Sequence, residues 1–130
     1  MTKGKTAQLY LRFPGLYAAP DEVEFRCENG WFDLLLELSE SLASLAGAAG
    51  LQPGDADYPR VTTVKEKFGH LRVYTTAGKS LRSEITDLLN EFELRSAQVC
   101  EVCGLPGTTQ RLGGARLTLC AHCVQRPTDW

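Results

Sequence analysis

The chain has 130 residues, of which 43% are hydrophobic, and a formal net charge of −2. This size suits one compact domain with a real core, and no stretch approaches the roughly 20 apolar residues of a membrane-spanning helix. The apolar segment from Leu9 to Leu16 contains Arg12 and Pro14, so we do not expect an export signal there. We therefore expect a cytoplasmic protein, with residues 1–130 in a single domain.

The charges are distributed unevenly along the chain. Nine acids lie between Asp21 and Asp57 against Arg26 alone, a net of −8, so the remaining residues carry +6. Five cations follow between Arg60 and Lys79, where Glu66 is the one acid. Such asymmetry is common on ordinary solvated surfaces, and it can also steer the chain toward a charged partner.

The first 28 residues give a weak pattern, and the next twenty predict a helix. Leu9, Leu11 and Phe13 alternate like a short strand that Pro14 ends. A helix is expected from Asn29 or Gly30, either of which would be its N-cap, to Gly50. Its apolar stripe, at helical spacing, comprises Trp31, Leu34, Leu35, Leu38, Leu42 and Leu45.

Residues 61–67 and 70–76 are β-rich and flank Phe68-Gly69, which predicts an antiparallel hairpin. Alternation places Val64, Phe68, Leu71 and Val73 toward the core, with Lys65, Lys67 and Arg72 on the outer face. Glu66 shares the inner side, so its carboxylate should be paired, lie at the sheet edge or be functional, and we favour pairing.

A second amphipathic helix is expected from Ser80, as N-cap, to the first cysteine pair. The sequence thus predicts an α+β fold, in which two amphipathic helices pack on a small antiparallel β-hairpin sheet before a C-terminal four-cysteine zinc knuckle. Residues 1–97 would form the core and residues 98–130 a zinc-finger subdomain. The residues expected to be largely buried are Trp31, Leu35, Leu38, Leu42, Val64, Phe68, Leu71, Val73, Ile85, Leu88 and Phe92.

Four cysteines carry the clearest chemical signal. Cys100, Cys103, Cys120 and Cys123 form a C-x2-C-x16-C-x2-C pattern, which falls within the spacing of four-thiolate zinc sites. Four thiolates leave Zn²⁺ no open position, so we expect a structural ion. Two short-loop disulfides are disfavoured in a chain without an export signal. His122 lies between two expected ligands, and we expect it to face solvent instead of replacing a cysteine at the metal. A short hairpin that turns at Gly113-Gly114 would bring the second cysteine pair next to the first.

No constellation of residues predicts catalysis, and we expect no enzyme. His70 and His122 are the two side chains that titrate near neutrality without perturbation. Cys27 is the fifth cysteine and lies outside the zinc-binding pattern. It precedes a helix N-terminus, which can lower a thiol pKa, but a buried or incidental cysteine is the better interpretation. Phosphate-binding glycine loops and nucleophile elbows are absent from the sequence.

Three motifs together resemble a family of small zinc-knuckle proteins of bacteria and phages, most without an assigned function. They are Gly30-Trp31-Phe32-Asp33-Leu34-Leu35, residues 64–74 (VKEKFGHLRVY), and the cysteine pairs with Gly104 and Thr118-Leu119. The resemblance implies a zinc-knuckle α+β domain and carries over no catalytic residue. Some small proteins of this kind sit beside secreted toxin genes. The finger alone is similar to that of DksA/TraR-type regulators, whose long coiled-coil hairpin is missing here.

Two classes of function follow as expectations. The first is a protein-binding module, an immunity or inhibitor protein that occupies the basic cleft of a toxin or effector enzyme. Its acidic contact surface would comprise Asp21, Glu22, Glu24, Glu28, Asp33, Glu37 and Glu40. The alternative is a nucleic-acid-binding or transcription-regulating zinc finger that makes contact through Lys65, Lys67 and Arg72, with further support from Arg111, Arg116 and Arg126.

Overall fold

The structure is a computed structural model that describes residues 1–18 and 23–125. Within these residues the helices are α1 (Lys3–Arg12), α2 (Phe32–Ala48) and α3 (Arg82–Ser96). The strands are β1 (Glu24–Arg26), β2 (Arg60–Lys67), β3 (His70–Thr76), β4 (Thr108–Leu112) and β5 (Ala115–Leu119). The predicted α+β class is confirmed, and none of the described helices is long and apolar enough to cross a bilayer.

The sheet is larger than the predicted hairpin. Strand β2 pairs with β3 antiparallel, as predicted, and also with β1 in parallel, so the order is β1-β2-β3. Strands β4 and β5 form a separate antiparallel hairpin. Helix α2 contacts both α1 and α3, and α3 contacts β3.

The strand predicted around residues 9–13 is wrong, because this segment ends helix α1. Thr2 caps the helix, its side-chain oxygen accepting from the Lys5 N–H at 3.4 Å. Leu9 is fully buried and Leu11 is 81% exposed, as expected for positions two apart on a helix. Three alternating apolar residues are therefore too few to distinguish a strand from a helix with one buried face.

Helix α2 buries the predicted stripe, but its start differs from the prediction. A 3-10 turn, Asn29–Trp31, precedes it, so the N-cap is Trp31 in place of Asn29 or Gly30, and no side chain caps the helix. The Asn29 side-chain oxygen instead accepts from the Thr2 N–H at 2.9 Å and so connects α1 to α2.

The β2–β3 hairpin turns at Phe68-Gly69, as predicted, with positive φ at both residues. Glu66 pairs with Leu71 across the strands and lies on the inner side with Val64. The predicted pairing of Glu66 is found, since its Oε2 accepts from the Gly69 N–H at 2.7 Å. Phe68, expected in the core, is 64% exposed, because it belongs to the turn, where strand alternation does not apply.

The predicted N-cap of helix α3, Ser80, is wrong, because the N-cap is Leu81, which makes no side-chain capping hydrogen bond. Ser80 lies in a 3-10 turn, Lys79–Leu81, that precedes α3. The Asp57 carboxylate holds this turn by accepting from the Lys79 N–H at 2.7 Å and from the Ser80 N–H and hydroxyl. In the hydrophobic core, Val73 and Leu88 are half-buried, and the other predicted core residues apart from Phe68 are buried. These are Trp31, Leu35, Leu38, Leu42, Val64, Leu71, Ile85 and Phe92.

Candidate metal centre

Two tight turns present the four thiols. In the first, the Gly104 N–H donates to the Cys100 carbonyl at 2.9 Å, and Gly104 has a φ of 84°, which favours glycine. In the second, the Cys123 N–H donates to Cys120 Sγ at 3.3 Å. The β4–β5 hairpin turns at Gly113-Gly114, as predicted, and returns the second pair to the first.

The four sulfur atoms of Cys100, Cys103, Cys120 and Cys123 lie within 4.8 Å of one another, so these residues could hold one metal ion. Cys103 Sγ and Cys120 Sγ are 3.6 Å apart. The edge of a regular tetrahedron of sulfurs about 2.3 Å from its centre is about 3.8 Å, so the spacing suits tetrahedral coordination. All five cysteines are free of disulfides, and His122 is exposed and outside the sulfur cluster.

The electrostatics of these thiols favour a bound cation. The backbone N–H of Cys123 lowers the pKa of Cys120 to about 6, because it stabilises the thiolate. Burial raises the pKa of Cys123 to about 12, because a thiolate there loses its hydration. A cation at the centre of the four sulfurs would offset this penalty and draw all four into the ionised form.

We define the finger as residues 98–125, and its first contact with the core is made by Gly30 and Trp31. The Gly30 N–H donates to the Glu101 carbonyl at 2.6 Å, and Trp31 Nε1 donates to the Val99 carbonyl at 2.8 Å. A β-carbon on Gly30 would overlap the Cys100 carbonyl. The glycine at this position thus lets the start of α2 pack directly against the metal-binding turn.

The second contact is made by the turn of the β2–β3 hairpin. Thr118 Oγ1 donates to the Gly69 carbonyl at 2.6 Å and lies 2.8 Å from Thr109 Oγ1, which is 3.4 Å from His70 Nε2. A β-carbon on Gly69 would lie 3.3 Å from the Arg116 carbonyl. The start of α2 and the turn of the β2–β3 hairpin therefore both contact the finger and fix its position.

Glu101 is a buried carboxylate that no pattern in the sequence singles out. It is 7% exposed, and its Oε2 accepts from the Glu28 N–H at 3.2 Å. Burial raises its pKa to about 7, an effect that the Glu28 N–H opposes. Its side chain adds a third link between the finger and the segment that precedes α2.

Cys27 lies outside the metal centre. It is buried, as expected, and burial raises the pKa of its thiol to about 12. The thiol is therefore neutral at pH 7, in contrast to the activated thiolate that a helix N-terminus can produce.

Three of the seven residues of the predicted acidic surface are paired with arginines. Glu37 forms a bidentate pair with Arg95 at 2.7 and 3.1 Å, Glu40 pairs with Arg12 at 3.1 Å, and Glu24 pairs with Arg26 at 2.9 Å. Two further members, Glu28 and Asp33, are exposed, and neither forms an ion pair within the described residues. The remaining two, Asp21 and Glu22, lie outside the described residues.

The cations predicted to contact nucleic acid divide into two groups. Arg72 Nε lies 2.9 Å from Glu93 Oε1, so its guanidinium is already paired within the fold. Lys65 Nζ lies over the Tyr74 ring at 5.1 Å, and Lys67 Nζ lies over the Phe68 ring at 5.8 Å. Arg126 lies outside the described residues.

A second set of cations is brought together by the finger hairpin. Arg111 and Arg116 are directly opposite each other in the β4–β5 register, both are exposed, and neither has an ion-pair partner among residues 1–18 and 23–125. With Phe68 and Leu117 they line an open cleft of about 590 Å³. We call Lys67, Phe68, Arg111 and Arg116 the basic–aromatic face.

The sequence contains part of the signal for this face. A two-residue turn at Gly113-Gly114 sets Arg111 opposite Arg116 by register alone. The contribution of Phe68 could not be found in that way, because it depends on the docking of one hairpin turn against the other hairpin.

Comparisons with protein-family models, with curated proteins and with solved structures find no match. Function must therefore be inferred from the chemistry of the site itself.

Proposed function

We propose that this protein is a zinc-finger module that binds nucleic acid through the basic–aromatic face. One observation carries the proposal, the cross-strand arrangement of Arg111 and Arg116. Like charges directly opposite each other destabilise a two-stranded ribbon. Neither arginine forms an ion pair within the described residues, although Glu66 lines the same cleft. A phosphate backbone supplies the missing negative charge, because guanidinium groups bind phosphate oxygens in a bidentate manner.

The bound ion in this proposal is Zn²⁺, held by Cys100, Cys103, Cys120 and Cys123. Four sulfur ligands near tetrahedral spacing suit zinc and leave it no position for substrate. Its role would be structural, since it holds the turns that flank the β4–β5 hairpin. The arginines and the metal thus belong to one element, and loss of the ion would disperse the binding face.

The net charge of the chain does not argue against this face. Three of the expected acidic residues, Glu24, Glu37 and Glu40, are already paired with arginines. The overall value of −2 therefore does not describe the local charge at the finger hairpin, where Arg111 and Arg116 lie opposite each other. Nucleic-acid binding depends on the local potential and on direct phosphate contacts more than on total charge.

The proposal is tested by fluorescence anisotropy with labelled oligonucleotides at several salt concentrations. Arg111→Glu with Arg116→Glu should weaken binding at least tenfold, and wild-type affinity should fall as salt rises, because binding releases counterions. The matched control is Lys3→Glu with Arg60→Glu, which changes the net charge equally at exposed positions outside the face. Equal effects of the two double variants, or no measurable wild-type binding, would overturn the proposal.

A second candidate is the protein-binding module, an immunity or inhibitor protein directed at a toxin or effector enzyme with a basic cleft. The exposure of Glu28 and Asp33 without ion pairs in the described residues favours it. Glu28→Lys with Asp33→Lys should then abolish capture of the partner from native lysate and slow association. The same reversal should leave nucleic-acid binding unchanged or slightly stronger, which separates the two candidates.

A further inference from the structure

We infer that Phe68 is a stacking platform for one unpaired base, so that the basic–aromatic face takes single-stranded nucleic acid in preference to duplex. This inference rests on the proposed function and adds the form of nucleic acid to it.

The backbone conformation of Phe68 is unfavourable for a bulky residue. Phe68 has a φ of 54° and Gly69 a φ of 86°, the sign pattern of a type I′ hairpin turn. The first position of that turn is normally asparagine, aspartate or glycine, because a large side chain rarely adopts positive φ. Strained positions of this kind persist where the surroundings fix them, and they cluster at functional sites.

Folding does not account for the aromatic ring. The side chain of Phe68 is 64% exposed and is not among the residues that pack in the hydrophobic core. The contacts that hold the turn are made by other groups, since the Gly69 N–H donates to Glu66 and the Gly69 carbonyl accepts from Thr118. An asparagine at position 68 would make the same turn with less strain, so the ring requires a different explanation.

The surroundings of the ring suit a nucleotide. Phe68 lines the cleft of about 590 Å³ together with Arg111 and Arg116, and this volume lies within the range of small-ligand sites. Lys67 Nζ is 5.8 Å from the ring centroid, which places a third cation beside the ring. Glu66 also lines the cleft, where the Gly69 N–H donates to its Oε2, and the three cations outnumber this carboxylate.

The stacked state of the bases distinguishes single strands from duplex. In a duplex both faces of a base are covered by its neighbours, so an exposed aromatic ring has no base to stack on. In a single strand a base can unstack and lie on the ring while the adjacent phosphates bind arginine. An aromatic ring beside cations therefore favours single strands and tolerates many sequences.

The test compares the zinc-loaded full chain and three variants on labelled 12-mer oligo-dT, oligo-U and a mixed-sequence 12-base-pair duplex. Wild type should bind both single strands at least tenfold more tightly than the duplex. Phe68→Asn should weaken single-strand binding about 5- to 150-fold, the range expected for loss of one base–aromatic contact. Phe68→Tyr should retain it, and Leu94→Asn, at an exposed leucine of α3, should have no effect.

Thermal unfolding separates loss of stacking from loss of fold. Because asparagine suits the turn better, Phe68→Asn should be as stable as wild type or more stable, even as its single-strand affinity falls. Duplex binding as tight as single-strand binding, or single-strand binding unaffected by Phe68→Asn, would overturn the inference and leave the proposed function standing. If none of the three probes binds, both the inference and the proposed function are overturned.

Discussion

Gly30 donates its backbone N–H to the carbonyl of Glu101 at 2.6 Å, which places the start of α2 against the first metal-binding turn. A side chain on Gly30 has no room, since a β-carbon would overlap the Cys100 and Glu101 carbonyls. The hydrophobic core and the cysteine cluster are therefore in direct backbone contact. A structural change at one should alter the stability of the other.

The first prediction concerns this contact. Gly30→Ala should destabilise the protein by roughly 1–3 kcal/mol, because backbone atoms must move apart to admit the methyl group. It should also weaken metal retention against a chelator, since the atoms that move belong to the Cys100 turn.

Gly47→Ala is the matched control for that change. Gly47 lies within α2, and no atom from the rest of the fold comes within 4 Å of the place that its β-carbon would occupy. Alanine there should therefore stabilise the helix by about 0.5–1 kcal/mol. Denaturant unfolding measures both variants. Equal behaviour of the two alanines would contradict the close approach at Gly30.

The second prediction concerns the metal. Cys103→Ser should reduce zinc from one ion per chain to a small fraction, because three sulfurs complete the tetrahedron poorly. Structural zinc of this kind can contribute on the order of 10 kcal/mol to folding, so the finger should unfold and the Trp31–Val99 hydrogen bond should be lost.

Elemental analysis and Trp31 fluorescence, recorded in a Trp130→Phe background, check the second prediction. Cys27→Ala is the control, since Cys27 lies outside the sulfur cluster and should leave the zinc content at one ion per chain. Protein purified without chelator that contains no zinc would contradict the assignment of the metal.

The third prediction concerns the core. Leu38→Ala should cost roughly 2–5 kcal/mol, because the side chain is fully buried on α2 and its removal leaves a cavity. Leu11→Ala, at a residue that is 81% exposed, should change the stability by less than about 0.5 kcal/mol. Equal losses at the two positions, measured by urea unfolding, would show that the buried face of α2 is assigned wrongly.

Local patterns in the sequence predicted the parts of the fold that local chemistry determines. The spacing of Cys100, Cys103, Cys120 and Cys123 predicted that their sulfurs would lie together, and the stripe through Leu38 predicted the buried face of α2. The turn at Gly113-Gly114 predicted the finger hairpin. Each of these features depends on residues near one another in the chain or on a strict ligand geometry.

The features that the sequence did not predict depend on contacts between distant segments. Asp57 accepts from the backbone N–H of Lys79, 22 positions later, in the 3-10 turn before α3, and Glu101 accepts from the backbone of Glu28 across 73 positions. Strand β1 has three residues, too few for a period, and is held by its pairing with β2. The exposure of Phe68 follows from the turn and not from the strand pattern, which is why alternation misplaced it.

The last prediction concerns pH and Asp57. Its hydrogen bond from the Ser80 hydroxyl, and then that from the Lys79 N–H, lower the pKa of the carboxyl below its usual value. A carboxyl whose pKa is lower in the folded state binds its proton less tightly there, so it stabilises the fold above the unfolded-state pKa, about 3.9. This contribution is lost as the pH falls through the lower, folded-state pKa.

The free energy of unfolding of wild type should therefore exceed that of Asp57→Asn at pH 7, and the difference should shrink steadily below about pH 4. Asp87→Asn, at an exposed aspartate within α3, should lower the free energy of unfolding at pH 7 by less, since no hydrogen bond or ion pair to its carboxylate is found in the described residues. Urea unfolding from pH 2.5 to 7 measures both. A difference for Asp57→Asn that does not change over this range would mean that the ionised carboxylate does not stabilise the 3-10 turn before α3.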